Sequence, residues 1–69
     1  MKNDWVIYAD MRIADGGVYS INIARTESEK KAEELSREFL NSHEDCAVVY
    51  MANGNGNGRF ITRRNNGNK

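Results

Sequence analysis

The chain has 69 residues, 39% of them apolar and 29% charged, which suits one small globular domain and excludes a disordered chain. A domain of this size buries only about 60% of the surface its unfolded chain exposes, which leaves little material for a deep catalytic cleft. Formal net charge is zero but unevenly placed: residues 1–52 hold six Lys/Arg against all ten Asp/Glu, and residues 53–69 hold Arg59, Arg63, Arg64 and Lys69 with no acid.

Trp5, Ile7, Ala9, Met11 and Ile13 alternate with Val6, Tyr8, Asp10 and Arg12. This period of two predicts a strand with one apolar and one mixed face. A second strand follows over Val18–Ala24, with Tyr19, Ile21 and Ile23 on its apolar side. A three-residue loop, Asp15-Gly16-Gly17, keeps apolar faces together by pairing Met11 with Ile21 and Ala9 with Ile23.

Thr26 and Glu29 have the spacing of a capping box and open a helix. Ala32, Leu35, Phe39 and Leu40 form its apolar stripe. Its other face is charged, with Glu27–Lys31 and Glu33–Arg37 four residues apart. The helical pattern ends near Asn41-Ser42.

Cys46–Ala52 is an almost unbroken apolar run, as a well-covered central strand requires. Asn53-Gly54-Asn55-Gly56-Asn57-Gly58 is a hairpin signal, and Arg59–Arg63 returns as an edge strand guarded by arginine. A turn centred on Asn55-Gly56 places Phe60 beside Met51 and Ile61 beside Tyr50. Residues 65–69 have nothing to bury, so the expected organisation is one domain over 1–64 followed by a disordered tail.

The expected fold is α+β, a ββαββ chain whose four-stranded, mainly antiparallel sheet has order 2-1-3-4 and one helix on one face. A parallel contact between the second and third strands is the alternative. The hairpin–helix–hairpin plan is similar to that of several small phage- or plasmid-encoded bacterial domains. That resemblance implies an accessory factor or an inhibitor of a larger protein, and no motif selects one family.

No motif carries catalysis. The glycines at 54, 56 and 58 lack the Gly-Lys-Ser/Thr and the following helix of a phosphate loop. His43, Glu44, Asp45 and Cys46 are ligand types in one loop, but no second His or Cys completes a structural metal site. The reading is therefore non-enzymatic, with no metal and no cofactor. One cysteine excludes an intrachain disulfide and points to the cytoplasm. Residues 1–4 show no signal-peptide core, and no segment reaches the roughly 20 apolar residues that span a bilayer.

What remains is the sheet face away from the helix, where Val6, Tyr8, Arg12 and Val18 are expected to meet Tyr50, Ile61, Arg59 and Arg63. Tyr and Arg are enriched at protein interfaces, and one helix leaves that face uncovered. Tyr8, Arg12, Tyr50, Arg59 and Arg63 are thus the expected partner-binding residues, for another protein or a second copy in a homodimer. Nucleic acid held by the basic last strand and tail is the alternative; the acidic body opposes it. The basic segment has a third use, pairing with the acidic helix.

Overall fold

A computed structural model describes residues 4–63. The elements are β1 (Trp5–Arg12), β2 (Val18–Thr26), α1 (Glu29–Ser42), β3 (Cys46–Asn53) and β4 (Gly58–Ile61). They form one sheet of order β2-β1-β3-β4 in which every neighbouring pair is antiparallel. The helix packs on one face, so the chain is an α+β ββαββ domain, as its hydrophobic patterning predicts. β1 separates β2 from β3, so the parallel alternative is not formed. Residues 64–69, with the expected tail, lie outside the described residues.

Both hairpins use the same loop. Gly16 N–H donates to Ile13 O at 2.9 Å and Ile13 N–H donates to Gly17 O at 2.8 Å, closing Ala14-Asp15-Gly16. Gly56 N–H donates to Asn53 O at 3.4 Å and Asn53 N–H to Asn57 O at 2.9 Å, closing Gly54-Asn55-Gly56. In each loop the third residue is a glycine with positive φ, +100° at Gly16 and +90° at Gly56. A left-handed residue at that position is what a three-residue hairpin needs.

Two register expectations are corrected. The first loop has the expected length but sits one residue earlier, so Met11 faces Tyr19 and Ala9 faces Ile21. The slip is even, so these pairs keep their faces. The second loop has three residues instead of two, so Tyr50 faces Phe60 and Val49 faces Ile61. The Asn53 side chain explains this choice. Its Oδ1 accepts N–H bonds from Asn55 (3.0 Å) and Asn57 (3.2 Å), folding the turn around itself. Asn55 keeps a negative φ, whereas a two-residue type I′ turn needs two positive ones.

Two irregularities let the core faces continue. Between Ile7 and Tyr8 the register with β2 shifts, leaving Ile23 as an extra residue before Ile7 meets Ala24. Ile23 and Ala24 both pack against the core. Between Asp10 and Met11 the register with β3 shifts past Ala47, which brings Cys46 opposite Met11 and buries its side chain. Such bulges bend and twist a strand locally.

The core lies between α1 and the odd-numbered face of β1. Trp5, Ile7, Ala9 and Met11 meet Val49, Met51, Ile61, Ala32 and Leu40 there, all buried. Ile13, assigned to this face by alternation, falls beyond β1 and is exposed. The helix begins later than the capping-box spacing implies: Thr26 stays in β2 opposite Trp5. Ser28 is the N-cap, its Oγ accepting the Lys31 N–H at 3.2 Å. Thr26 Oγ1 instead accepts the Ser28 N–H at 3.5 Å.

Ala32, Ser36 and Leu40 form the innermost helical row, and Leu35 and Phe39 flank it as partly buried residues. Ser36 is completely buried, with its hydroxyl donating to Ala32 O at 2.7 Å. The hydroxyl is satisfied within the helix, so what the sheet requires at position 36 is small volume. Ser36→Leu is therefore expected to lose about 1–3 kcal/mol of stability through overpacking. Ser36→Ala is expected to stay near neutral because no other buried group loses its partner. Urea unfolding of the two variants checks both; equal midpoints would reject this volume limit.

Candidate protein-binding face

Alternation along β1 sends Val6, Tyr8, Asp10 and Arg12 to the side away from the helix. The observed pairings bring Val18, Ser20 and Asn22 of β2, and Val48, Tyr50 and Ala52 of β3, to the same face. Phe60 joins them from β4 by pairing with Tyr50. Tyr8 faces Tyr50 across the central pair of strands, so Tyr8, Tyr50 and Phe60 stand in one row. The Tyr50 and Phe60 rings have centroids 4.8 Å apart and are tilted by 47°, a geometry aromatic pairs favour. Phe60 is 65% exposed and Tyr8 40%.

Gly58 supports this row. A Cβ there would collide with the Tyr50 hydroxyl and lie 2.9 Å from its Cζ. The phenol therefore lies over bare backbone at the start of β4, as aromatic side chains do over edge glycines. At the other end of the face, Ser20 donates its hydroxyl to the Asp10 carboxylate across the strands. Arg12 projects exposed beside Val18. The row is thus apolar and aromatic at one side and charged at the other.

Of the expected binding residues, Tyr8, Arg12 and Tyr50 share this face. Arg59, Arg63 and Ile61 do not, and their assignment to it is corrected. The three-residue loop turns Arg59 and Ile61 toward the helix, and Ile61 is buried beside Val49. Arg59 Nη2 lies 2.8 Å from Glu33 Oε1 and 3.5 Å from Glu29 Oε2. Glu33 is held from the other side by Arg37, at 3.1 Å, the expected i,i+4 pair. Part of the basic segment therefore pairs with the chain's own acidic helix.

Arg63 lies at the helix C-terminus. Its Nη2 donates to Leu40 O at 2.7 Å and His43 O at 2.9 Å, and its Nη1 donates to Cys46 O at 3.2 Å. The last turn of α1 has no basic residue of its own. Arg63 supplies the cation that the helix C-terminus favours and satisfies carbonyls that the helix leaves open. Phe60 is the face residue the sequence reading missed. The signal for it was Asn53 before the glycine repeat, whose side chain selects the longer loop.

The residues considered for chemistry are separated from this face. The His43 ring stacks on Phe39, centroids 3.9 Å apart, with Nδ1 lying 3.1 Å from Phe39 O. Cys46 is a free, fully buried cysteine, and burial pushes its thiol pKa up, against nucleophilic use. Among the described residues, no group of three or more His, Cys, Asp or Glu is placed to hold a metal. Nor is any described helix long and apolar enough to cross a membrane. No family model, curated protein or solved structure matches the chain.

Two outcomes follow from the arginine contacts. Arg63→Ala strips three carbonyls of a charged donor and is expected to cost about 1–3 kcal/mol, read by urea unfolding; an unchanged midpoint would remove its role as a clamp. The Arg59 hydrogen bond, followed by that of Arg37, holds Glu33 below its ordinary value of 4.5. A carboxyl lowered on folding stabilises the protein above its unfolded value and loses that contribution as pH falls through the folded one. Thermal unfolding between pH 7 and pH 3 is therefore expected to fall less steeply for Glu33→Gln than for the parent chain. Identical pH profiles would show that the network does not couple to folding.

Proposed function

We propose that this chain is a non-enzymatic protein-binding module that engages a protein partner through the open face of its sheet. The observation that carries this reading is the row Tyr8–Tyr50–Phe60 across three adjacent strands, on the side without a helix, with Tyr8 and Phe60 exposed and Tyr50 half-buried between them. Monomers seldom expose contiguous apolar surface without a use for it, and rigid aromatics are strong anchors at interfaces. Arg12 and Asp10 beside the row supply a charged rim. A flat face on so small a domain suits an accessory or inhibitory role, in which it covers a patch on a larger protein. The single buried thiol is in keeping with a cytoplasmic setting.

Nucleic-acid binding through β4 gains no support from this arrangement. Arg59 faces two carboxylates and Arg63 three carbonyls, so neither guanidinium is free to meet phosphate without breaking a contact within the fold.

Affinity capture from host extract with the immobilised chain tests the proposal. Tyr8→Ala and Phe60→Ala are each expected to abolish recovery of the protein partner while leaving circular dichroism unchanged. A partner retained equally by both variants would reject this face. Binding of single-stranded oligonucleotide that weakens steeply with salt would favour the nucleic-acid reading instead.

A further inference from the structure

The two edges of the sheet differ. β4 is four residues long and carries Arg59, with Arg63 just beyond it; short, charged edges discourage pairing with another chain. β2 is nine residues long, and Val18–Ala24 contains neither charge nor proline. Exposed apolar residues gather on this side. Of the six large hydrophobic residues exposed among the described ones, Val18, Tyr19 and Ile21 lie on β2 and Ile13 in the loop that leads into it. Tyr19 and Ile21 face the helix side yet stay exposed there. Further along β2 an open groove of about 400 Å³ has Ile23, Ala24, Leu35 and Phe39 as its apolar lining, with Glu38, Ser42 and His43 of the helix end as its polar one.

We infer that the β2 edge pairs with the β2 edge of a second copy, antiparallel about a two-fold axis at Ser20, which joins the two sheets into one. The backbone phase allows it. Ile13 and Gly17 form a hydrogen-bonded position of the β1–β2 ladder. Alternation then turns the N–H and C=O groups of Val18, Ser20 and Asn22 away from β1. These residues lie in the regular stretch between the loop and the bulge at Ile23, and Ser20 is its midpoint. Placed against itself, the stretch pairs Ser20 with Ser20 and Val18 with Asn22, each pair exchanging both backbone hydrogen bonds.

The side chains favour a second copy over a foreign strand. At a two-fold axis every charge meets its own sign, and this segment brings none. Tyr19 of each copy falls opposite Ile21 of the other on the helix side, with Ile23 as its diagonal neighbour. The ring thereby covers the apolar end of the groove. The open aromatic face stays outside the seam, so this inference stands independently of the partner reading above.

Light scattering with size exclusion, together with Ser20→Cys, tests it. The expected mass is twice 7.8 kDa. Ile21→Lys is expected to restore the single mass with unchanged circular dichroism, whereas Tyr8→Ala keeps the doubled one. Cα atoms of a hydrogen-bonded antiparallel pair lie about 5.5 Å apart, within disulfide reach. Mild oxidation of Ser20→Cys should therefore link two chains, because Cys46 is buried and cannot compete. A single mass at millimolar concentration would overturn the inference. So would a doubled mass that survives Ile21→Lys and disappears in Phe60→Glu, which would move self-association to the open face. Should Ile21→Lys unfold, the cross-link decides: no disulfide dimer overturns edge pairing.

Discussion

A helix about 10 Å wide lies over four strands spaced about 4.8 Å apart, so it can roof roughly half the width of the sheet on its own side and none of the other. Each region of solvent-facing apolar surface follows from that mismatch in area. β1 and β3, the central strands, receive the helix and supply most of the core: Ile7, Ala9, Val49 and Met51 are fully buried. The β2 edge keeps Tyr19 and Ile21 exposed on the helical side, and the far side keeps the aromatic row. Among the described residues there is no second helix to close either surface.

Buried apolar contacts hold the cover, and arginines near the end of the described chain add contacts at its two ends. Arg59 bridges β4 to the first turns of α1, and Arg63 closes the opposite end of the same helix. The helix is thus gripped at both termini by residues 59–63, while Ser36 lets its middle approach the sheet. The guanidinium charge of those arginines is placed within the domain. Part of the charge imbalance along the sequence becomes, in three dimensions, short-range pairing between Arg59 of the last strand and the acidic helix. Among the described residues, the open face is consequently aromatic along one row, with Arg12 and Asp10 at its rim.

Both hairpins repeat one device, a three-residue loop with glycine in the left-handed region at its third position. Its consequence is parity. A three-residue connection pairs odd residues with odd and even with even, so Tyr50 must meet Phe60 and Val49 must meet Ile61. One residue fewer would exchange Phe60 with Ile61, place a phenylalanine in the core and turn Arg59 away from the helix. The loop length therefore decides both the composition of the open face and the anchoring of α1.

Much of this was legible in the linear pattern. Period-two alternation identified the buried side of β1, and helical spacing identified the stripe through Ala32, Leu35, Phe39 and Leu40. The connection lengths favoured the 2-1-3-4 order while leaving a parallel contact between the second and third strands open. These features depend on local periodicity, which burial enforces directly. Three-dimensional contacts decided the rest: the fate of Arg59 and Arg63, the bulges at Ile23 and Ala47, the cap at Ser28 and the promotion of Phe60 to the open face. Each turns on a choice between nearly equal local alternatives, such as a two- or three-residue loop. That choice is resolved by the two backbone N–H bonds that the Asn53 side chain accepts and by which residue the core has room to bury.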